Sequence, residues 1–211
     1  MKILNISPYK GTTWLLETDS GEKIYIGQKI SERYGLKAGL DLPEAALDEI
    51  KESDLERKSR ERAMYLLTGK DYGFAELFRK LEKSYPPEMC LETCKAMAEM
   101  GLIDDRKYAR KLANQLFEIK LESERSVRFK LSQKEIPKDI IEEIVEEFCG
   151  DELVEERLCR LIKKKYQKNL SDKEGVRKVR DALARRGFGY GDIKRALKSF
   201  EEEAEQFTVD N

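Results

Sequence analysis

The residue types that most often carry catalysis are missing from this chain or explained by structure. Histidine, the usual general base near neutral pH, does not occur among its 211 residues, which removes acyl-transfer triads built on it. Four cysteines, Cys90, Cys94, Cys149 and Cys159, lack the CxxC spacing of a zinc ribbon, and no histidine is present to complete a mixed site. Cys90 and Cys94 lie one helical turn apart and are read as small, reduced core residues on one buried face. Asp104-Asp105 is the carboxylate pair best placed to suggest metal or acid–base work. It follows Gly101-Leu102-Ile103 at a helix start, however, where aspartate accepts orphan N–H groups and meets the positive end of the dipole. No GxxxxGK[ST] phosphate loop occurs, and GFGYGD at 187–192 reads as a helix stop and restart between two basic helices. No catalytic residue, metal site or cofactor is expected, and the chain is read as a binding protein rather than an enzyme.

The chemistry that remains is cationic. From Arg157 to Lys198 fifteen Lys or Arg face four Asp or Glu, whereas Glu135 to Glu156 holds ten acids and one base. The last eleven residues add Glu201, Glu202, Glu203, Glu205 and Asp210 with no base. Such a partition makes the whole-chain charge of −1 a poor guide, because potentials act over roughly one Debye length, ~8–10 Å. The candidate binding residues are Lys163, Lys164, Lys165, Lys168, Arg177, Lys178, Arg180, Arg185, Arg186, Tyr190, Lys194, Arg195 and Lys198. A phosphate backbone or an acidic protein groove would complement them; alternatively the preceding acidic helix could neutralise them within the fold. Tyr166, Phe188 and Tyr190 are interleaved with these charges and suit stacking on bases or docking on protein.

The elements that must position these residues are helices written as repeats. Lys130-Leu131, Ile136, Ile141, Ile144, Val145 and Phe148 match Ala182-Leu183, Phe188, Ile193, Ala196, Leu197 and Phe200, every pair 52 positions apart. A fainter copy 50 positions earlier puts Leu81, Leu91 and Cys94 at the places of Leu131, Ile141 and Ile144. Helical repeats of this period bury their apolar faces on one another and leave long surfaces free. The expected fold is mainly α: three tandem three-helix repeats forming an elongated, curved body, with a small β-rich N-terminal domain. Residues 1–52 make that domain, with strands at 2–6, 12–18 and 22–27, helices at 28–34 and 42–50, and Trp14 anchoring its core. The repeats follow at 53–102, 103–149 and 150–203, with an acidic tail at 204–211. Helix starts are placed by a capping box at Ser53 and Glu56, by Pro87, Asp104 and Pro137, and by a second capping box at Ser171 and Glu174. Gly101, Gly150 and Gly187 mark stops. No apolar run approaches the ~20 residues that span a bilayer, and the start lacks the apolar core of a signal peptide, so a cytoplasmic location is expected.

GLIDDRKYAR at 101–110, preceded by Ala63 to Leu67 and Ala75-Glu76-Leu77 and followed by the repeated leucine and isoleucine pattern, resembles the RecX regulatory proteins of bacteria. The β-rich start with Tyr34-Gly35-Leu36-Lys37-Ala38-Gly39 is similar to the longer form found in many Gram-positive species. The resemblance implies a non-enzymatic modulator that binds the RecA filament, protein plus single-stranded DNA, in its helical groove and restrains recombination and SOS induction. A weak direct contact with DNA is compatible with it, no membrane is involved, and a monomer is expected. Tyr85-Pro86-Pro87 stands where the family places a Lys/Arg-Gly turn, and the middle helix of the second repeat lacks the usual glycine-rich lead and carries Glu122 and Glu124, so the charge balance favours the third repeat over the first two as the main basic contact. A nucleic-acid-binding repeat protein acting without RecA, or a protein-binding helical adaptor, are the alternatives.

Overall fold

The computed structural model describes residues 1–209; residues 210 and 211 and the side chains of 201 and 203–209 lie outside the described residues. The chain divides into two compact units, Met1–Lys70 with Leu77–Leu102 and Asp71–Glu76 with Ile103–Asn211. No described helix is long and apolar enough to cross a membrane.

The first unit opens with an antiparallel sheet of β1 (Ile3–Lys10), β2 (Thr13–Thr18) and β3 (Lys23–Gly27), in that order. Leu16 of the central strand sits opposite Ile6 and Ile24, which places these apolar side chains on one face. Three strands need cover to be stable. Here Ile30 of α1 (Gln28–Arg33) and Leu47 and Ile50 of α2 (Glu44–Gly69) close over Ile3, Leu16, Ile24 and Ile26. Trp14 is only half-buried and stands outside this cluster, so the aliphatic residues, and not the tryptophan, anchor the core.

The helix expected at 42–50 and the one expected to start at the Ser53 capping box are one continuous helix, α2, and that capping box does not form. No glycine or proline interrupts 44–68, so nothing forces a break. Ser53, which suggested one, and its neighbour Asp54 bond inward instead. Ser53 bonds the Tyr34 hydroxyl at 2.8 Å, and buried Asp54 accepts from the Gly27 N–H at 2.8 Å while pairing with Arg57 and Lys58. Further along, α2 packs on α4 (Pro87–Glu99), where Ser59 and Thr93 share a buried hydrogen bond of 2.8 Å. Between them lies α3 (Phe74–Leu81).

In α4 the buried residues are Cys90, Thr93, Cys94 and Met97, whereas Leu91 is 39 % exposed and not the counterpart of Ile141. From Leu81 to the N-cap Pro86 the chain is one residue shorter than from Leu131 to Pro137, the N-cap of α7 (Lys138–Glu146), which moves the helix register so that Cys90 takes the place of Ile141. Both Cys90 and Cys94 are fully buried free thiols, as their spacing predicts.

The second unit contains α5 (Asp105–Asn114), a π turn (Gln115–Ile119), α6 (Glu124–Gln133), α7, α8 (Asp151–Lys165), a 3-10 turn (Gln167–Asn169), α9 (Lys173–Arg185) and α10 (Tyr190–Val209). The helix expected to end at 203 therefore runs on into the segment read as a tail. Asp104 caps α5 by accepting from Lys107 N, and Asp105 accepts from Phe74 N at 2.8 Å at the start of α3. Both carboxylates are thus helix-terminal groups. The capping residue of α9 is Asp172, bonded to Gly175 N at 2.6 Å, one position beyond the serine expected. The 52-residue offset holds in the packing: Leu131 and Leu183, Ile136 and Phe188, and Ile141 and Ile193 are buried pair by pair. One cluster gathers α5, α6 and α7 around Phe117 and Ile144; the other gathers α8, α9 and α10 around Leu158, Leu161 and Leu183. Leu121, at a φ of 54°, belongs to the second cluster and inserts from the loop before α6.

Candidate partner-binding surface

The third three-helix group is built by a simple alternation. Asp151 meets Arg195 at 3.4 Å and Ser199 donates to Glu155 at 2.5 Å, so α8 and α10 run parallel in direct contact, with α9 joining them in sequence. Lys163, Lys164 and Lys165 form the last turn of α8, where cations suit the negative end of the helix dipole, and Lys168 lies in the 3-10 turn that follows. Arg177 and Lys178 are exposed near the start of α9, and Lys178 pairs with Glu174 at 2.8 Å. At the other end of α9 stand exposed Arg185 and half-buried Arg186, with Tyr190, Lys194 and Arg195 on the first turns of α10. The Arg180 guanidinium lies 5.9 Å from the centre of the Tyr190 ring, within cation–π range. Arg195 bonds Asp192 at 2.6 Å, and Lys198 pairs with Glu202 at 3.3 Å. The structure thus brings the candidates together as two groups, at opposite ends of a helix of thirteen residues, roughly 20 Å. Phe188 is buried and leaves the list of stacking residues.

The acidic segment does not neutralise this surface. On α7, Glu142 pairs with Arg128 and Glu143 with Arg106, and just after it Glu147 accepts from Nη2 and Nε of Arg110 at 2.7 and 3.0 Å. The Arg110 hydrogen bonds hold the Glu147 carboxyl below its ordinary value. These partners all lie in α5 and α6. Beyond them, Asp151 reaches Arg195 and Glu118 reaches Arg160. Among the described residues, Lys164, Lys165, Lys168, Arg177, Arg185 and Lys194 therefore form no ion pair.

One basic residue that sequence patterning did not single out is Arg157. It lies three residues after Val154 and four before Leu161, on the apolar stripe of α8, and that spacing is the signal that it turns inward. Its guanidinium sits 4.2 Å above the Phe117 ring and donates to the Phe148 carbonyl at 2.9 Å. Burial pushes its pKa down, against the pull of Glu118 at 4.0 Å. Arg157 also lines a cleft of about 370 Å³ between the start of α6 and the Gly187-Phe188-Gly189 turn. That turn is held against α6 by the Ser123 hydroxyl, which donates to the Arg186 carbonyl at 2.6 Å. A Cβ on Gly187 would stand 2.8 Å from the same oxygen.

Comparison with known proteins places this architecture. The regulatory protein RecX of Streptococcus sanguinis (strain SK36) is 31 % identical over 207 residues, which span 98 % of this chain and 80 % of that protein. The chain belongs to the RecX family of regulatory proteins. The RecX protein of Listeria monocytogenes serotype 4a (strain HCC23) is 25 % identical over 192 residues, 89 % of this chain and 71 % of its own. A family model described as RecX, third three-helix domain, matches residues 152–197, the stretch that holds every candidate residue except Lys198. The fold is shared with a crystal structure of regulatory protein RecX at a TM-score of 0.72, with 21 % identity over 93 % of this chain and 98 % of that one. RecX from Lactobacillus salivarius superposes at a TM-score of 0.65, with 20 % identity over 71 % of this chain and 98 % of its own. The relatives carry the name of regulatory proteins.

Proposed function

We propose that this protein binds the RecA nucleoprotein filament through its third repeat and restrains recombinase activity without chemistry of its own. Membership of the RecX family supports a regulatory role. The observation that carries the contact is the set of exposed third-repeat cations without an acidic partner among the described residues, while Glu142, Glu143 and Glu147 of the acidic segment are paired inside the second repeat. Unpaired cations at two ends of α9 complement a polyanionic or acidic partner, and each phosphate contact with a single strand adds ~0.7 to the salt dependence of binding. A partner of that kind acts in the cytoplasm. The Arg180–Tyr190 pair also fits a second reading, a nucleic-acid-binding protein that needs no recombinase. Titrating the protein into RecA on single-stranded DNA while following its ATPase, with bare-DNA binding recorded at the same salt, separates the two. Suppression at concentrations that leave bare DNA unbound supports the filament reading; firm DNA binding with an unchanged ATPase supports the other.

A further inference from the structure

Arg157 is 2 % exposed, and its Nε–H has no acceptor among the described residues. A buried guanidinium with an unused donor is rare enough to need an explanation. The cleft beside it supplies one. Its lining holds three guanidinium groups, Arg125, Arg128 and Arg157, and two carboxylates, Glu124 and Asp192. Both carboxylates already have arginine partners: Glu124 pairs with Arg128 at 2.7 Å and Asp192 with Arg195 at 2.6 Å. Arg125 is exposed at the rim and forms no ion pair among the described residues. The open donors therefore belong to Arg157 on the α8 wall and Arg125 on the α6 wall.

We infer that this cleft seats one phosphodiester of a single-stranded nucleic acid, with an adjoining base stacked on Tyr190. A phosphodiester is an anion, suited to a lining in which guanidinium groups outnumber carboxylates. Its tetrahedral oxygens accept from donors that converge from two walls, whereas a carboxylate is matched best by a single planar fork. Tyr190 follows Gly189 of the cleft directly, is 66 % exposed, and is braced by Arg180. An exposed aromatic beside a phosphate seat is the arrangement that sequence-tolerant single-strand binding uses. The assignment deepens the functional reading above and rests on it only in bringing nucleic acid to the third repeat.

The test follows the Arg157 Nε–H by 15N–1H spectroscopy of the full chain, with Arg157→Lys to assign the resonance. A short oligodeoxythymidylate, dimethyl phosphate and poly-glutamate are added in separate titrations. The resonance should move with the oligonucleotide and, at much higher concentration, with dimethyl phosphate. Arg125→Gln should weaken oligonucleotide binding several-fold and lower the slope of log K against log salt by about 0.7, and Tyr190→Ala should weaken the oligonucleotide but not dimethyl phosphate. An unmoved resonance, movement with poly-glutamate alone, dimethyl phosphate as tight as the oligonucleotide, or an unchanged slope in Arg125→Gln would each overturn the assignment. Filaments of RecA on the same oligonucleotide separate the two claims. Filament binding that Arg125→Gln leaves untouched removes the cleft and keeps the regulator, whereas Arg125-dependent oligonucleotide binding with no filament effect does the reverse.

Discussion

Glu135 and Gly187 occupy equivalent places 52 residues apart, each just after a helix and each at positive φ, 56° and 89°. In both, the next residue donates back into the helix, Ile136 N to Leu131 O and Phe188 N to Leu183 O, each at 3.3 Å. This closing turn favours glycine in the left-handed position. A side chain held there costs ~1–2 kcal/mol, while glycine gives back ~0.4–1 kcal/mol through the entropy of the unfolded chain. Any exposed contact of the Glu135 carboxylate contributes at most ~1 kcal/mol, and its negative charge at a helix C-terminus is unfavourable by a few tenths. Glu135→Gly should therefore stabilise by about 0.5–1 kcal/mol, raising the melting temperature by roughly 1–4 °C in a chain of this length. Gly187→Glu meets the same strain with a further clash, because its Cβ would stand 2.8 Å from Ser123 Oγ and 3.3 Å from Arg125 Cβ. That change should cost about 2–4 kcal/mol. Thermal and urea unfolding followed by circular dichroism measure both. A destabilising Glu135→Gly, or a Gly187→Glu variant as stable as the parent, would refute the equivalence of the two turns.

Leu131→Ala and Leu183→Ala each remove a fully buried leucine from a different cluster and should cost ~2–5 kcal/mol; a loss under ~0.5 kcal/mol by urea unfolding would break the repeat correspondence. Burial alone would raise the Asp54 carboxyl, but Lys58, the Gly27 N–H and Arg57 outweigh it and hold it below its ordinary value. Because the folded value is the lower one, this stability is complete above the ordinary carboxyl range and fades as pH falls through the folded value. Asp54→Asn should therefore destabilise by about 1–3 kcal/mol near neutral pH and flatten the acid limb of the stability profile, as pH-dependent melting would record. An unchanged acid limb would count against it.

Much of the fold could be read from residue spacing because its signals are local. Helix stops at Gly101 and Gly187 are true left-handed caps, and the stripe of Val176, Val179 and Leu183 predicts the packed face of α9. What spacing could not deliver depends on contacts distant in sequence. Ser53 and Glu56 have the form of a helix start, yet Tyr34 and Gly27, about 20 to 30 residues away, recruit Ser53 and Asp54 and the helix runs through. Leu91 was misplaced because a single-residue difference in a preceding loop rotates a helix by about 100°, from the 3.6-residue turn. For the candidate surface, charge counting identified the cations but not that Glu142, Glu143 and Glu147 are paired within their own repeat. It also treated Arg157 as one more base, although its place on an apolar stripe marks it as buried.

The contact through the third repeat is tested most directly with a triple reversal, Lys164→Glu, Arg177→Glu and Arg185→Glu, at exposed positions without ion pairs among the described residues. Binding of the variant and the parent to RecA filaments on single-stranded DNA is compared across a salt series, alongside their melting temperatures. Filament binding should fall by at least tenfold and lose much of its salt dependence, while stability falls by no more than about 1–2 kcal/mol, since Lys164 and Arg185 lie in the last turns of α8 and α9. Filament binding with unchanged affinity and salt slope would place the contact elsewhere on the chain.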